Sequence, residues 1–148
     1  MPVIRVDAKA MIAASPTAVY EILADYERGH PAILPPRYFR DLVIEKGGRG
    51  AGTIVRFTMR TLGSRRPIRA AVAEPEPGRV LEEVDLETGA VTTFTVAPAQ
   101  GSESAQVTIT TSWTGRGLRG WVESKLAPPL LRRIYADELQ RLAAVAAK

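Results

Sequence analysis

His30 is the single histidine among the 148 residues, set between Gly29 and Pro31 in the run Asp25-Tyr26-Glu27-Arg28-Gly29-His30-Pro31. A histidine acting as general base needs an oriented partner, and Asp25 and Glu27 are the carboxylates closest to it in sequence. The plainer reading is a surface or capping histidine in a turn. Glu82 alternates in phase with Val80 and Val84, which makes it a candidate for an inward-facing carboxylate. Such a group needs a raised pKa or a partner, and Arg69 on the preceding strand is available; at a sheet edge Glu82 would simply face water. Glu138 poses the same question near the C-terminus, where pairing with Arg141 one turn on is the favoured reading. Tyr26, Tyr38 and Tyr135, and Thr111 on a smaller scale, join an apolar body to a hydroxyl. Groups of that kind fix a ligand's orientation without doing chemistry. The residues that could assist proton transfer are therefore His30, Glu82 and Tyr135.

Several chemistries are excluded or unsupported. There is no cysteine, which removes disulfides, thiolate nucleophiles and Cys-based zinc sites. One histidine cannot make a multi-histidine metal site. Gly47–Gly52 is glycine-rich but precedes a strand rather than a helix, so it reads as a turn and not as a phosphate cradle. No nucleophile elbow or dinucleotide fingerprint is present, and no cofactor is expected. The net charge is +4 and the pI near 9.8. The arginines behind that excess are spread along the chain, densest at Arg65-Arg66 and Arg132-Arg133, which argues against nucleic acid and for a solvated basic surface. No stretch approaches the ~20 apolar residues of a membrane span. The N-terminus lacks the apolar block of a secretory signal, so the expected compartment is the cytoplasm.

The elements that must position these residues follow from periodicity. Ile4, Val6, Ala8, Ala10 and Ile12 alternate as a half-buried strand. Ser15 and Pro16 are N-cap and first-turn residues for a helix with Val19, Tyr20, Ile22 and Leu23 on its apolar face. That helix is expected to break at Gly29, and a second short turn carries Ala32, Ile33 and Leu34 to Pro35-Pro36. Strands follow at Tyr38–Glu45, Thr53–Leu62, Pro67–Glu74, Val80–Leu86, Ala90–Val96 and Ala105–Thr114, with a polar loop over Pro98–Ser104. Connections this short pair neighbouring strands antiparallel. In the final segment Leu131, Ile134, Tyr135, Leu142 and Val145 form one stripe. Pro128-Pro129 divides that segment, so Leu118–Leu126 is expected as a lead-in and the long helix begins near the prolines. The chain is short enough to be one domain, 1–148.

This is an α+β arrangement: a strand, two short helices, a curved antiparallel sheet of about seven strands in all, and a long C-terminal helix across it. Ala13-Ala14-Ser15-Pro16-Thr17-Ala18-Val19-Tyr20, Leu23-Ala24-Asp25-Tyr26, Gly48-Arg49-Gly50-Ala51-Gly52-Thr53 and the terminal helix from Leu130 to Leu142 together resemble the helix-grip fold of the START-like (SRPBCC) superfamily. That superfamily includes polyketide cyclases/dehydrases, pollen-allergen-type proteins and coenzyme Q-binding proteins. The resemblance implies a hydrophobic pocket between sheet and helix. Its wall candidates are Tyr26, Tyr38, Val55, Phe57, Met59, Ile68, Val72, Val84, Phe94, Ile109, Thr111 and Trp113, with Leu131, Ile134 and Tyr135 on the helical side. Packing as ordinary core is the competing reading for each.

Three functions are expected from this. The first is binding of a small hydrophobic ligand, lipid-, polyketide- or quinone-like, without turnover. The second is a cofactor-independent cyclase/dehydratase or aromatase-like enzyme in which His30, Glu82 and Tyr135 move protons. The third is a basic-surface interaction protein of the coenzyme Q-binding or ribosome-associated type. An uncovered sheet edge permits a monomer or a homodimer.

Overall fold

Alternation builds the first strand: in β1 (Val3–Ile12) Ile4, Val6 and Ile12 are buried while Val3 and Met11 are exposed. This computed structural model describes residues 3–61, 63–115 and 117–148, with backbone alone at 64, 102 and 117–126. The Ser15 hydroxyl caps α1 (Pro16–Ala24) by accepting from the Ala18 amide at 3.2 Å, and Pro16 occupies the first turn. The helix ends earlier than expected, at Asp25, and Gly29 instead opens α2 (Gly29–Ile33). Asp25 causes the break: its Oδ1 accepts from the amides of Glu27 (3.1 Å) and Arg28 (3.2 Å), a local turn that competes with the helix ladder.

Six strands then run as a meander: β2 (Phe39–Lys46), β3 (Ile54–Thr61), β4 (Ser64–Glu76), β5 (Val80–Asp85), β6 (Val91–Ala99) and β7 (Gly101–Thr114). With β1 closing against β7, the seven-stranded sheet has the order β1-β7-β6-β5-β4-β3-β2, every pair antiparallel. This is the curved sheet and long terminal helix of the helix-grip fold. Leu62, expected as the end of the third strand, lies outside the described residues. The polar loop expected over Pro98–Ser104 is absent; the β6–β7 ladder continues through Pro98↔Ala105 to Ala99↔Gly101. Composition misleads there because a ribbon this far from the core can be built from small polar residues, with Gly101 supplying a positive φ of 83° at the tip.

The last helix, α3 (Gly117–Ala146), passes through Pro128 and Pro129 without ending. Each proline removes an amide donor, but its fixed φ lies in the helical range, so the path continues where the hydrogen-bond ladder does not. The helix thus starts well before the prolines, and at ~1.5 Å per residue its 30 residues make it about 45 Å long. Its buried stripe is Ile134, Tyr135, Glu138, Leu139 and Leu142. It packs chiefly on β1, with α1, α2 and β7 also in contact. Between α3 and the opposite half of the sheet, β2 to β5, space is left that side chains only partly fill.

Candidate functional site

That space is a cavity of about 530 Å³. Its apolar wall consists of Leu34, Phe39, Leu42, Val55, Phe57, Met59, Ile68, Ala70, Phe94, Trp113, Leu130 and Leu131. Its polar end is set by sheet register. Directly opposed residues of antiparallel strands share a face, and Thr111↔Thr92 with Thr92↔Glu83 places Thr111, Thr92 and Glu83 in one row across β7, β6 and β5. Tyr135 and Glu138, three residues apart on α3, and Tyr26 and His30, from the α1–α2 corner, line the same cavity.

The corner is held by the glycine-rich turn that follows β2. The Tyr26 amide donates to the Gly48 carbonyl and the Gly50 amide to the Ala24 carbonyl, both at 2.9 Å. At Gly50 the backbone has φ +58° and an added Cβ would lie 2.2 Å from Glu74 Oε1, so a side chain there is strained and would displace the Glu74 carboxylate. Glu74 in turn joins β4 to α1, accepting from Tyr20 Oη at 2.7 Å and from the Ala51 amide at 2.8 Å.

His30 is 2% exposed, and its Nδ1 lies 2.8 Å from the Leu23 carbonyl oxygen. A carbonyl can only accept, so Nδ1 carries the hydrogen and Nε2 is the nitrogen that faces Glu83 Oε2, at 3.4 Å. The same carboxylate oxygen accepts from Tyr26 Oη at 2.5 Å. Tyr26 stacks on the His30 ring at a centroid distance of 4.4 Å, and Phe94 meets that ring edge-on at 5.3 Å. Burial, then the Glu83 charge, push the Tyr26 phenol well above its ordinary pKa. Glu138 is 2% exposed; burial first, and then the charges of Glu83 and Asp137, raise its pKa well above the usual carboxyl range. Tyr135 Oη and Thr111 Oγ1 share a 2.5 Å hydrogen bond, extended to Thr92 Oγ1 at 2.8 Å. Burial and the nearby Glu138 raise the Tyr135 phenol as well. Further along the cavity Arg66 pairs with Asp85.

Of the residues singled out from sequence, Tyr26, Val55, Phe57, Met59, Ile68, Phe94, Thr111, Trp113, Leu131 and Tyr135 line this cavity, and so does His30. Tyr38, Val72, Val84, Ile109, Ile134 and Glu82 do not. Val72, Ile109 and Ile134 are buried at 4% or less and pack as core. Tyr38 sits beneath the Arg37 guanidinium, 5.2 Å from its ring centroid. The phase of β5 is the reverse of that expected: Leu81, Glu83 and Asp85 face inward and Val80, Glu82 and Val84 outward. Nor does Arg69 pair with Glu82; it pairs with Glu45 at 2.8 Å. Asp25 and Glu27 do not orient His30, and Glu83 takes that place. Glu138 does not reach Arg141, whose partner is Asp137 at 3.2 Å. Glu83 was legible in principle: the turn after Asp85 sets Leu81 opposite Phe94, a wall candidate from sequence, and Glu83 shares the face of Leu81. Sequence reasoning missed Phe39, Leu42 and Arg66, which the β2 bulge and the far end of β4 bring to the wall.

The arginines that are scattered in sequence are partly gathered by register. Arg56↔Arg69 and Arg60↔Arg65 are directly opposed on the outer face of β3 and β4. Glu45 relieves the first pair, 3.5 Å from Arg56. Among the described residues no group of three or more His, Asp or Glu could hold a metal ion, and no helix is long and apolar enough to cross a membrane.

Residues 3–147 match the family described as polyketide cyclase / dehydrase and lipid transport. No curated protein matches the chain. Among solved structures, the KanY protein is 31% identical over 100% of both chains with a TM-score of 0.86. A protein of Thermus thermophilus is 20% identical over 97% of both chains, TM-score 0.79. An aromatase/cyclase named Zhui, from a Streptomyces species, is 20% identical over 99% of this chain and 94% of its own, TM-score 0.75. At 20% identity the last two speak for the fold alone.

Proposed function

The chain belongs to the polyketide cyclase/dehydrase and lipid-transport family, and from that premise we propose that it holds one small, largely apolar molecule between sheet and α3, polar end innermost. The supporting observation is the cavity itself. Its volume of about 530 Å³ falls within the ~300–1,000 Å³ of ordinary ligand sites. One wall is aromatic and aliphatic, while hydroxyls and carboxyls converge at the other end. A solvatochromic apolar dye titrated into the protein tests this reading. Saturable one-to-one enhancement is expected in the wild type and its loss in Leu131→Trp, which puts bulk into the cavity, at an unchanged far-ultraviolet spectrum. Equal enhancement in both proteins would place the dye elsewhere and remove the proposal.

A second reading, acid–base catalysis of the cyclase/dehydratase kind, is favoured by the contact between His30 Nε2 and Glu83 at 3.4 Å. The Leu23 carbonyl fixes the tautomer, so one nitrogen is left to take a proton from a bound molecule while a protonated Glu138 donates one. Deuterium exchange α to the carbonyl of a bound aryl ketone, followed by NMR, measures that step directly. Exchange should exceed the buffer rate and fall to it in His30→Asn. Exchange indifferent to that substitution refutes the catalytic reading and leaves the binding one standing.

A further inference from the structure

The charges lining the cavity do not balance. Three carboxyl groups, Glu83, Asp85 and Glu138, line it against one arginine, Arg66, and one histidine. Arg66 is already committed to Asp85. At the polar end, among the described lining residues, there is no lysine or arginine; besides the His30 imidazole, which faces Glu83 alone, the groups there are hydroxyls and aromatic rings. Glu83 comes from β5 and Glu138 from α3, so two carboxyl groups approach the same space from opposite walls. Both are shielded: the Glu83 side chain is 15% exposed and Glu138 is 2% exposed. A buried carboxyl must keep a proton or gain a cation.

We propose that the molecule this cavity accepts is an amphipathic amine, its apolar body against Phe57, Met59 and Trp113 and its protonated nitrogen between Glu83 and Glu138. The proposal rests on the cavity being a ligand site. An ammonium group supplies the missing positive charge and up to three donors, which the two carboxylates and the Thr92 hydroxyl can accept. A ligand carboxylate or phosphate would instead meet like charge in a water-poor space. Burial, and then the charges of Glu83 and Asp137, disfavour the ionised form of Glu138; a cation beside it favours that form, so amine binding carries ionisation of Glu138 with it.

Three probes sharing one bicyclic body separate the possibilities: naphthylethylamine, naphthylacetone and naphthylacetate, titrated calorimetrically near neutral pH. Charge-assisted hydrogen bonds to carboxylate predict that the amine binds about ten- to a hundredfold more tightly than the ketone, with the acetate weakest. In Glu83→Gln/Glu138→Gln the amine's advantage over the ketone should disappear. If the double variant does not fold, Glu138→Gln alone should reduce the amine's advantage severalfold. A ketone equal to or tighter than the amine overturns the amine assignment while the ligand site stands. So does an amine preference that survives the substitutions. Failure of all three probes, together with the dye, removes the ligand site itself.

Discussion

Replacing Glu138 with glutamine should change how the stability of this protein depends on pH. Glu138 is 2% exposed on the inner stripe of α3 and, through burial and the charges of Glu83 and Asp137, holds its proton well above the ordinary value of 4.5. Above that value the unfolded chain has released the proton that the folded chain retains. The wild type therefore has its full carboxyl contribution below pH 4.5 and loses it as pH rises, until the folded carboxyl itself ionises. Within that window the slope for one proton is about 1.4 kcal/mol per pH unit. Glutamine is nearly isosteric with the protonated acid and does not titrate. The stability of Glu138→Gln minus that of the wild type should thus climb by about 1.4 kcal/mol for each pH unit above 4.5. Urea denaturation followed by circular dichroism in half-unit steps from about pH 4 to 8 measures it, and groups common to both proteins cancel in the difference. Glu83, which shares the cavity, and Asp137, the preceding residue, are coupled to it, and repeating the comparison in Glu83→Gln and Asp137→Asn backgrounds isolates their shares. A difference that stays flat across this range, or falls as pH rises, would refute the argument, because it would mean that Glu138 is ionised in the folded protein and stabilised by a partner.

Other substitutions test the division between core and cavity. Ile134→Ala, at a fully buried position of α3 that does not line the cavity, should cost about 2–5 kcal/mol in chemical denaturation and leave dye affinity intact at temperatures where the variant is folded. Gly29→Ala would put a Cβ 2.4 Å from the Ile22 carbonyl oxygen. The α1–α2 corner must then shift, at about 1–3 kcal/mol, and because His30 is the next residue, His30-dependent exchange should fall further than stability does. Tyr20→Phe removes the 2.7 Å bond to Glu74; a loss of about 1.5–3 kcal/mol is expected for a charged acceptor, and a change below measurement would show that water replaces the phenol.

What sequence alone determined was everything carried by local periodicity. The alternation in β1, β3, β6 and β7, the Ser15-Pro16 helix start and the apolar stripe of α3 each repeat one physical preference several times. Strand order then follows from short connections, and a sheet plus one long amphipathic helix leaves few ways to cover the apolar face. That was enough to identify the inner faces bearing Phe57, Met59, Phe94, Thr111 and Tyr135. Tertiary structure decided the rest where local patterns are balanced or silent. In β5, Val80 and Val84 compete with Leu81, and only the hairpin register with β6 settles which face Glu83 takes. Glu138 looks like a surface carboxylate one turn from an arginine, yet α3 is rotated so that it faces inward and Asp137 takes Arg141. His30 owes its orientation to a carbonyl seven residues earlier and a carboxylate 53 positions later. Periodicity states which face of an element is buried; which carboxyls, phenols and imidazole meet across the interior depends on register and helix rotation, and these are fixed by contacts between residues far apart in the chain.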